Sequence, residues 1–190
     1  FRHFFRAGGS SGTIAKAMSA YDKDFSDAIY GVEDDGRYVT EARLRKMLSH
    51  EINLIEQRIT RDKHPNKMFF SFANTVATID FAKKFKGHGW VGIKYQLDSD
   101  QGYNEIVLHL RFKETDARLQ QETLGILGLN LIYGAFYKYN VPKKLLRYLY
   151  DHLDKDRLEI DTVNFSGPAF KDVDNRLMSL QLVKNGMTDA

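Results

Sequence analysis

Gly8-Gly9-Ser10-Ser11-Gly12-Thr13 stands directly ahead of Ile14-Ala-Lys-Ala-Met-Ser-Ala-Tyr21, a stretch of helical character. A glycine and hydroxyl loop feeding a helix start is suited to cradle an anion. Glycines let the backbone turn N–H groups inward, the unbonded amides of a first helical turn add to them, and the positive end of the helix dipole favours phosphate or carboxylate. On that reading Gly8, Gly9 and Gly12 shape the loop, Ser10, Ser11 and Thr13 supply hydroxyl donors, and Lys16 supplies a point charge. Lys16 does not stand in the Gly-Lys-Ser/Thr order of a Walker loop, and the glycines do not follow G-x-G-x-x-G. The competing reading is a flexible turn, since glycine-serine loops are common punctuation.

A second group is His88-Gly89-Trp90 with Lys94, His109 and Arg111. If the strands carrying them pair in register, these polar groups fall on one face, and a histidine flanked by two glycines suits close approach of a substrate. His88, Arg111 and Glu122, the last in the run Gln120-Gln121-Glu122, are the candidates for proton transfer or substrate orientation. The plain alternatives are a hydrogen-bonded strand-end histidine and a solvated first helical turn, where acidic side chains are favoured anyway.

Asp161 and the run Asp172, Asp174, Asn175, Arg176 bracket Phe165-Ser-Gly-Pro168, and oxygen ligands on separate elements suit a divalent metal. No metal-ligand spacing is met, and Asp172 and Asp174 serve equally well as charges at a helix N-terminus. Arg176 reads as a buried ion-pair anchor within a polar Asp-Asn-Arg cluster. Metal and cofactor are therefore left open. No Ser-His-Asp set or paired-carboxylate hydrolase pattern is present.

With 190 residues, 43% of them hydrophobic and 13% aromatic, the chain can bury a sizeable core, and one domain over 1–190 is expected. Twenty-eight Lys and Arg against 25 Asp and Glu give a net charge of +3, with both signs interspersed. A phosphorylated small molecule is a comfortable partner for such a chain, whereas nucleic acid is not expected because the basic residues form no stripe. The absence of cysteine excludes disulfides, thiol nucleophiles and zinc–thiolate sites, and fits a reducing cytoplasm. The uncharged run from Leu124 to Tyr137 falls short of the roughly 20 residues a membrane helix needs, so no membrane is expected.

The elements that must position these residues follow from patterning. A helix is expected over 12–21, then a loop over 22–38. Thr40 caps a long helix over 41–61, along which Leu44, Met47, Leu48, Glu51, Ile52, Ile55 and Ile59 recur at spacings of three and four. A strand is expected over 68–73, and a hairpin over 88–96 and 104–112, where Ile106, Leu108 and Leu110 alternate with Val107, His109 and Arg111. A helix over 116–139 carries Gly125, Gly128 and Gly134, which favour close backbone packing. A short helix after Pro142, a strand over 158–164 and a helix over 172–184 ended by Gly186 complete the series. Without regular βαβ alternation the expected class is α+β, with mixed helices on a small, largely antiparallel sheet containing a hairpin. Phe1-Arg-His-Phe-Phe5 reads as the middle of an element, as in a fragment of a longer chain.

The strings Arg6-Ala-Gly-Gly-Ser-Ser-Gly-Thr-Ile-Ala-Lys16, Met18-Ser-Ala-Tyr-Asp22, Ser26-Asp-Ala-Ile-Tyr-Gly31, His88-Gly-Trp90, Gln120-Gln-Glu122, Asn130-Leu-Ile-Tyr-Gly134, Phe165-Ser-Gly-Pro168 and Asp174-Asn-Arg-Leu-Met-Ser-Leu-Gln-Leu182 resemble a widespread bacterial family of soluble proteins. Its members are labelled TonB-dependent receptor or nicotinate-nucleotide adenylyltransferase. The first label requires a many-stranded outer-membrane barrel, which this helix-rich sequence does not supply. The second rests on a Gly-Ser-Phe-Arg-Pro-like string, which does not occur between Phe1 and Ala190. The resemblance implies the N-terminal portion of a longer cytoplasmic protein.

Two functions compete. The first is a domain that binds a nucleotide or other phosphorylated metabolite through the Gly8–Thr13 loop, as part of a nucleotidyltransferase-like enzyme in which His88, Arg111 and Glu122 orient substrate or move a proton. The second is a non-catalytic interaction or assembly domain. Its aromatics, Tyr133, Phe136, Tyr137, Tyr139, Tyr148 and Tyr150, would pack on a C-terminal domain of the same chain or on a second subunit of a homo-oligomer.

Overall fold

The computed structural model describes residues 5–6, 8–80, 82 and 86–189, so the string Phe1–Phe5, apart from Phe5, lies outside the described residues. The chain divides into two compact units, Phe1–Arg37 and Tyr38–Ala190.

In the first unit the helix expected over 12–21 is absent. Ser10–Gly12 forms one 3-10 turn, and regular structure resumes only at helix α1, Lys23–Tyr30. The cap decides this: the Asp22 carboxylate accepts from the amide of Phe25 at 2.8 Å, while the other end stops at Gly31, whose φ of 84° suits only glycine. Over 14–21 the apolar stripe is reduced to Ile14 and Met18, and a helix of that length without a packed face is marginal in water.

The second unit is α+β as expected. Strands β1 (Phe70–Ala77), β2 (His88–Tyr95), β3 (Asn104–Phe112) and β4 (Leu158–Ser166) form one antiparallel sheet in the order β1-β2-β3-β4. Helices α2 (Glu41–Arg58), α3 (Ala117–Tyr137), α4 (Pro142–Tyr148) and α5 (Asn175–Lys184) cover it. Strand alternation divides the sheet into two faces. On the first, Val91, Ile93, Ile106, Leu108, Leu110, Ile160 and Phe165 meet Leu127 and Leu131 of α3, Leu145 and Leu146 of α4 and Leu182 of α5 in the main core. On the second, Leu44 and Leu48 of α2 pack against Ala73 and Val107, flanked by Met47 and Trp90. Each fully buried leucine or isoleucine contributes about 1.5–3 kcal/mol, so the first face carries most of the stability. Among the described residues no helix is long and apolar enough to cross a membrane.

Two of the three α3 glycines answer to close packing. A Cβ on Gly128 would lie 2.8 Å from Cζ of Phe72, and one on Gly134 would lie 3.1 Å from Cγ of Leu145. Gly125 meets nothing within 4 Å. Gly125→Ala is therefore expected to raise stability by about 0.5–1 kcal/mol through helix propensity. Gly128→Ala, which adds the same methyl group, is expected to lower it by about 1–3 kcal/mol through overpacking against Phe72. Denaturant unfolding of the two variants checks the pair, and a shift of the same sign in both would contradict this packing.

Candidate functional site at the open end of the sheet

Strand β4 carries a break in parity. Leu158, Ile160, Val163 and Phe165 all face the main core, and the three-residue step from 160 to 163 leaves one residue too many for simple alternation. The structure absorbs it as a bulge: His109 pairs with Thr162 and Leu110 with Ile160, leaving Asp161 without a direct partner across the ladder. Bulges re-aim side chains. Asp161 is turned to the second face, beside His109 and Arg111 of β3.

Its carboxylate is satisfied there from two sides. His109 Nδ1 lies 2.7 Å from Oδ1, and Arg111 Nε donates to Oδ2 at 2.9 Å. The Thr162 hydroxyl donates to Oδ1 at 3.2 Å. On the far side of the same imidazole, His109 Nε2 lies 3.1 Å from Nδ1 of His88. When His109 is neutral, the Asp161 carboxylate favours its proton on Nδ1, so that Nε2 accepts from Nδ1–H of His88 and the lone pair of His88 falls on Nε2. The Trp90 indole, paired in register with His109, packs on it at 4.8 Å between ring centroids, tilted by 49°, and restricts the plane of the central ring.

Electrostatics follow from this arrangement. Burial alone would raise the Asp161 carboxyl, but the hydrogen bond and charge of His109 and the charge of Arg111 outweigh it and hold the group below its ordinary value. Burial, then the neighbouring charges of His109 and Arg111, push His88 down, so its neutral form is favoured. His109 and Asp161 keep only 14% and 17% of their side-chain surface exposed, whereas Arg111 keeps 63%, so the histidine–carboxylate pair is sheltered and the guanidinium reaches solvent.

Beside this chain of groups lies a cleft of about 680 Å³, lined by Lys86, His88, His109, Arg111, Lys113 and Glu159. Three full cations and two histidines face one carboxylate, and Glu159 is itself bonded by the Thr188 hydroxyl. The cleft suits a compact anion next to a proton acceptor. Comparison with protein-family models, with curated proteins and with solved structures gives no match.

The residues singled out from the sequence are thus partly gathered and partly dispersed. His88 and Arg111 are directly opposite one another in the hairpin register, on one face as the pairing required. Glu122 is not with them: it sits on the solvent side of α3, 3.5 Å from Arg118 one turn away. Its neighbour Gln120 is fully buried and structural, accepting from the Ile79 amide at 2.8 Å and donating to the Glu114 carbonyl at 2.8 Å. The glycines flanking His88 serve the protein's own packing. A Cβ on Gly87 would meet Oε1 of Gln120 at 2.8 Å, and one on Gly89 would meet Cγ2 of Val76 at 2.4 Å.

Asp161, Asp174, Asn175 and Arg176 do not form a cluster. Asp174 caps α5 through the Arg176 amide at 2.8 Å, Asn175 pairs with the backbone of Phe165, and the Arg176 side chain is exposed rather than a buried anchor. Of the four, Asp161 alone joins the polar group beside the cleft, through His109 and Arg111. Among the described residues no group of three or more His, Asp or Glu is arranged to hold a metal.

The Gly8–Thr13 loop belongs to the first unit. Gly8 and Gly9 adopt φ of 79° and 69°, but the amides of Thr13 and Ile14 close the turn on the Ser10 carbonyl, and no α-helix follows to lend its dipole. Lys16 is exposed and lies beyond the turn, on no helix. The aromatic group splits as well: Phe136 stacks edge-on with Phe70 and Tyr95, and Tyr150 bonds the Leu158 carbonyl, while Tyr133 and Tyr137 stay exposed.

Both perturbed groups carry the same sign of pH dependence. A lowered His88 favours the neutral form in the folded state, so its stabilisation is present above the ordinary value of 6.5 and is lost as pH falls towards the depressed folded value. Asp161 stabilises above its ordinary 3.8, and that contribution is lost as pH falls through its own depressed value. Unfolding midpoints are expected to drop in two steps on acidification. His88→Asn should flatten the step just below 6.5 and Asp161→Asn the one below 3.8. Parallel pH curves for wild type and both variants would refute the assignment.

Proposed function

We propose that the 38–190 unit binds a phosphorylated small metabolite in the cleft at the open end of the sheet, and that His88 exchanges a proton with it. The hydrogen-bonded chain Asp161–His109–His88, ending at a cleft rich in Lys and Arg, carries this reading. Arg111, Lys86 and Lys113 supply charge for the phosphate, Arg111 in addition offering planar, directed donors. His88 Nε2 takes a proton from the substrate. The resulting imidazolium shares its charge through Nδ1–H with His109, whose own Nδ1–H is held by the Asp161 carboxylate. The proton is returned to the leaving or product atom by the same nitrogen. Asp161 acts on the substrate only through the two rings, as a positioning residue.

The cysteine-free composition favours a cytoplasmic location.

Thermal-shift titration with inorganic pyrophosphate, glucose 6-phosphate and AMP tests the reading, since a ligand of the folded state raises stability by mass action. A shift with at least one of them is expected, with affinity reduced about tenfold or more in Arg111→Ala. His88→Gln should retain most of that affinity while turnover of the same compound falls by roughly 10²–10⁴-fold. No shift with any phosphate compound, or a shift unaffected by Arg111→Ala, overturns the proposal.

A further inference from the structure

The other side of the sheet carries a second polar surface, at the C-terminal end of α3 and along α4. Tyr133 and Tyr137 stand one helical turn apart on the outer side of α3, exposed by 46% and 72%. Their rings lie 4.7 Å apart at 30°, and Tyr133 also meets Tyr148 of α4 at 5.2 Å and 39°, so the three form one continuous run of aromatic faces. Cations border it. The Lys138 ammonium sits 4.6 Å from the Tyr148 ring centre and 5.7 Å from that of Tyr133, within cation–π range. Lys144 and Arg147 join Lys138 and Tyr148 around a depression of about 390 Å³ in which Asp151 is the one acidic side chain.

We infer that this surface binds single-stranded nucleic acid, with a base stacked on the exposed end ring Tyr137, which Tyr133 and Tyr148 back, and phosphates held by Lys144, Arg147 and Lys138. The side chains beside the rings are lysine and arginine rather than leucine or isoleucine, which distinguishes the surface from an apolar protein interface. Exposed rings and nearby cations are the two components by which single strands are held without sequence preference. Burial, with Asp151 and Tyr133 nearby, pushes the Tyr148 hydroxyl up, so that ring stays uncharged beside a phosphate. In the sequence Lys138, Lys144 and Arg147 fall close together without a periodic stripe, and it is the turn between α3 and α4 that brings them to the tyrosines.

Fluorescence anisotropy with labelled oligouridylate and oligothymidylate of about ten nucleotides tests the assignment on the full 190-residue chain. Binding is expected to weaken about fivefold or more in Tyr137→Ala and to survive in Tyr137→Phe, which keeps the stacking face. Lys144→Ala with Arg147→Ala should reduce the slope of log affinity against log salt by about 1.4, the release of two phosphate contacts from a single strand. All three positions are at the surface, and circular dichroism checks that the variants fold. Absence of binding overturns the inference. So does an affinity indifferent to Tyr137→Ala, which would reduce the surface to charge alone, and so does binding to phosphatidylserine vesicles but not to the oligonucleotides.

Discussion

One extra residue in β4 governs the second unit. Leu158 and Ile160 precede it, Val163 and Phe165 follow it, and only the bulge at Asp161 lets all four reach the main core. A regular strand would turn one of the two pairs onto the opposite face. Since a buried Leu, Ile or Phe is worth about 1.5–3 kcal/mol and a net hydrogen bond about 1, giving up a regular rung of the ladder is the lesser loss. The cost is transferred to electrostatics: a half-buried carboxylate now projects from the face of edge strand β4, where it would be unfavourable without partners. His109, Arg111 and Thr162 provide them, and the polar chain of the cleft is in this sense a consequence of how the core is filled.

The second face stays partly open because of what α2 can cover. Its helix rests on small residues. A Cβ on Gly92 would fall 3.0 Å from Leu44 and 3.1 Å from Leu48, and the Ser71 hydroxyl donates to the Leu48 carbonyl at 2.9 Å. Beyond Leu48 the seam becomes ionic, with Arg45 bridging Glu41 and Glu105, and Lys94 reaching the Ser49 hydroxyl at 3.2 Å. At the other end the Thr75 hydroxyl ties the chain before α2 at the Tyr38 carbonyl, and Trp90 ends the apolar contact by packing on His109. The helix therefore stops short of His88, Arg111 and Asp161, and this end of the sheet faces solvent as a cleft rather than a core.

Local signals in the sequence were sufficient wherever the structure is itself local. The alternation in 104–112 and the turn over 98–102 gave the hairpin and, with it, the juxtaposition of His88 and Arg111. The stripe over 41–61 gave α2, and Asp116, Pro142 and Gly186 marked helix ends. The failures have equally physical origins. Helix α1 is short, and its visible signal is the Asp22 cap followed by Phe25 and Ile29, which a glycine-rich run just upstream overshadowed. Glu122 answers to Arg118 one turn away, a surface pairing that a helical face always permits. The role of Asp161 lay in a change of parity between Ile160 and Val163, legible as a pattern yet meaningful only once β3 is known to lie alongside.

Asn130 shows why the two surfaces are separate in origin. It is the polar residue of an otherwise apolar stretch of α3, buried, and its amide donates to the carbonyls of Leu149 at 3.0 Å and Asp151 at 2.7 Å. Those carbonyls lie in the turn just past α4, where the helical ladder has no further amides to offer them. One side chain thereby locks the angle between α3 and α4, and with it the placement of Tyr148 and Arg147 against Tyr133. Nothing in that arrangement depends on the bulge in β4. The packed layer of Val91, Ile93, Ile106 and Leu108 stands between the tyrosine surface and the cleft, and such a layer is close-packed and stiff. Each surface is thus set by its own local constraint, one by a carboxylate displaced from a strand and the other by an amide buried in a helix.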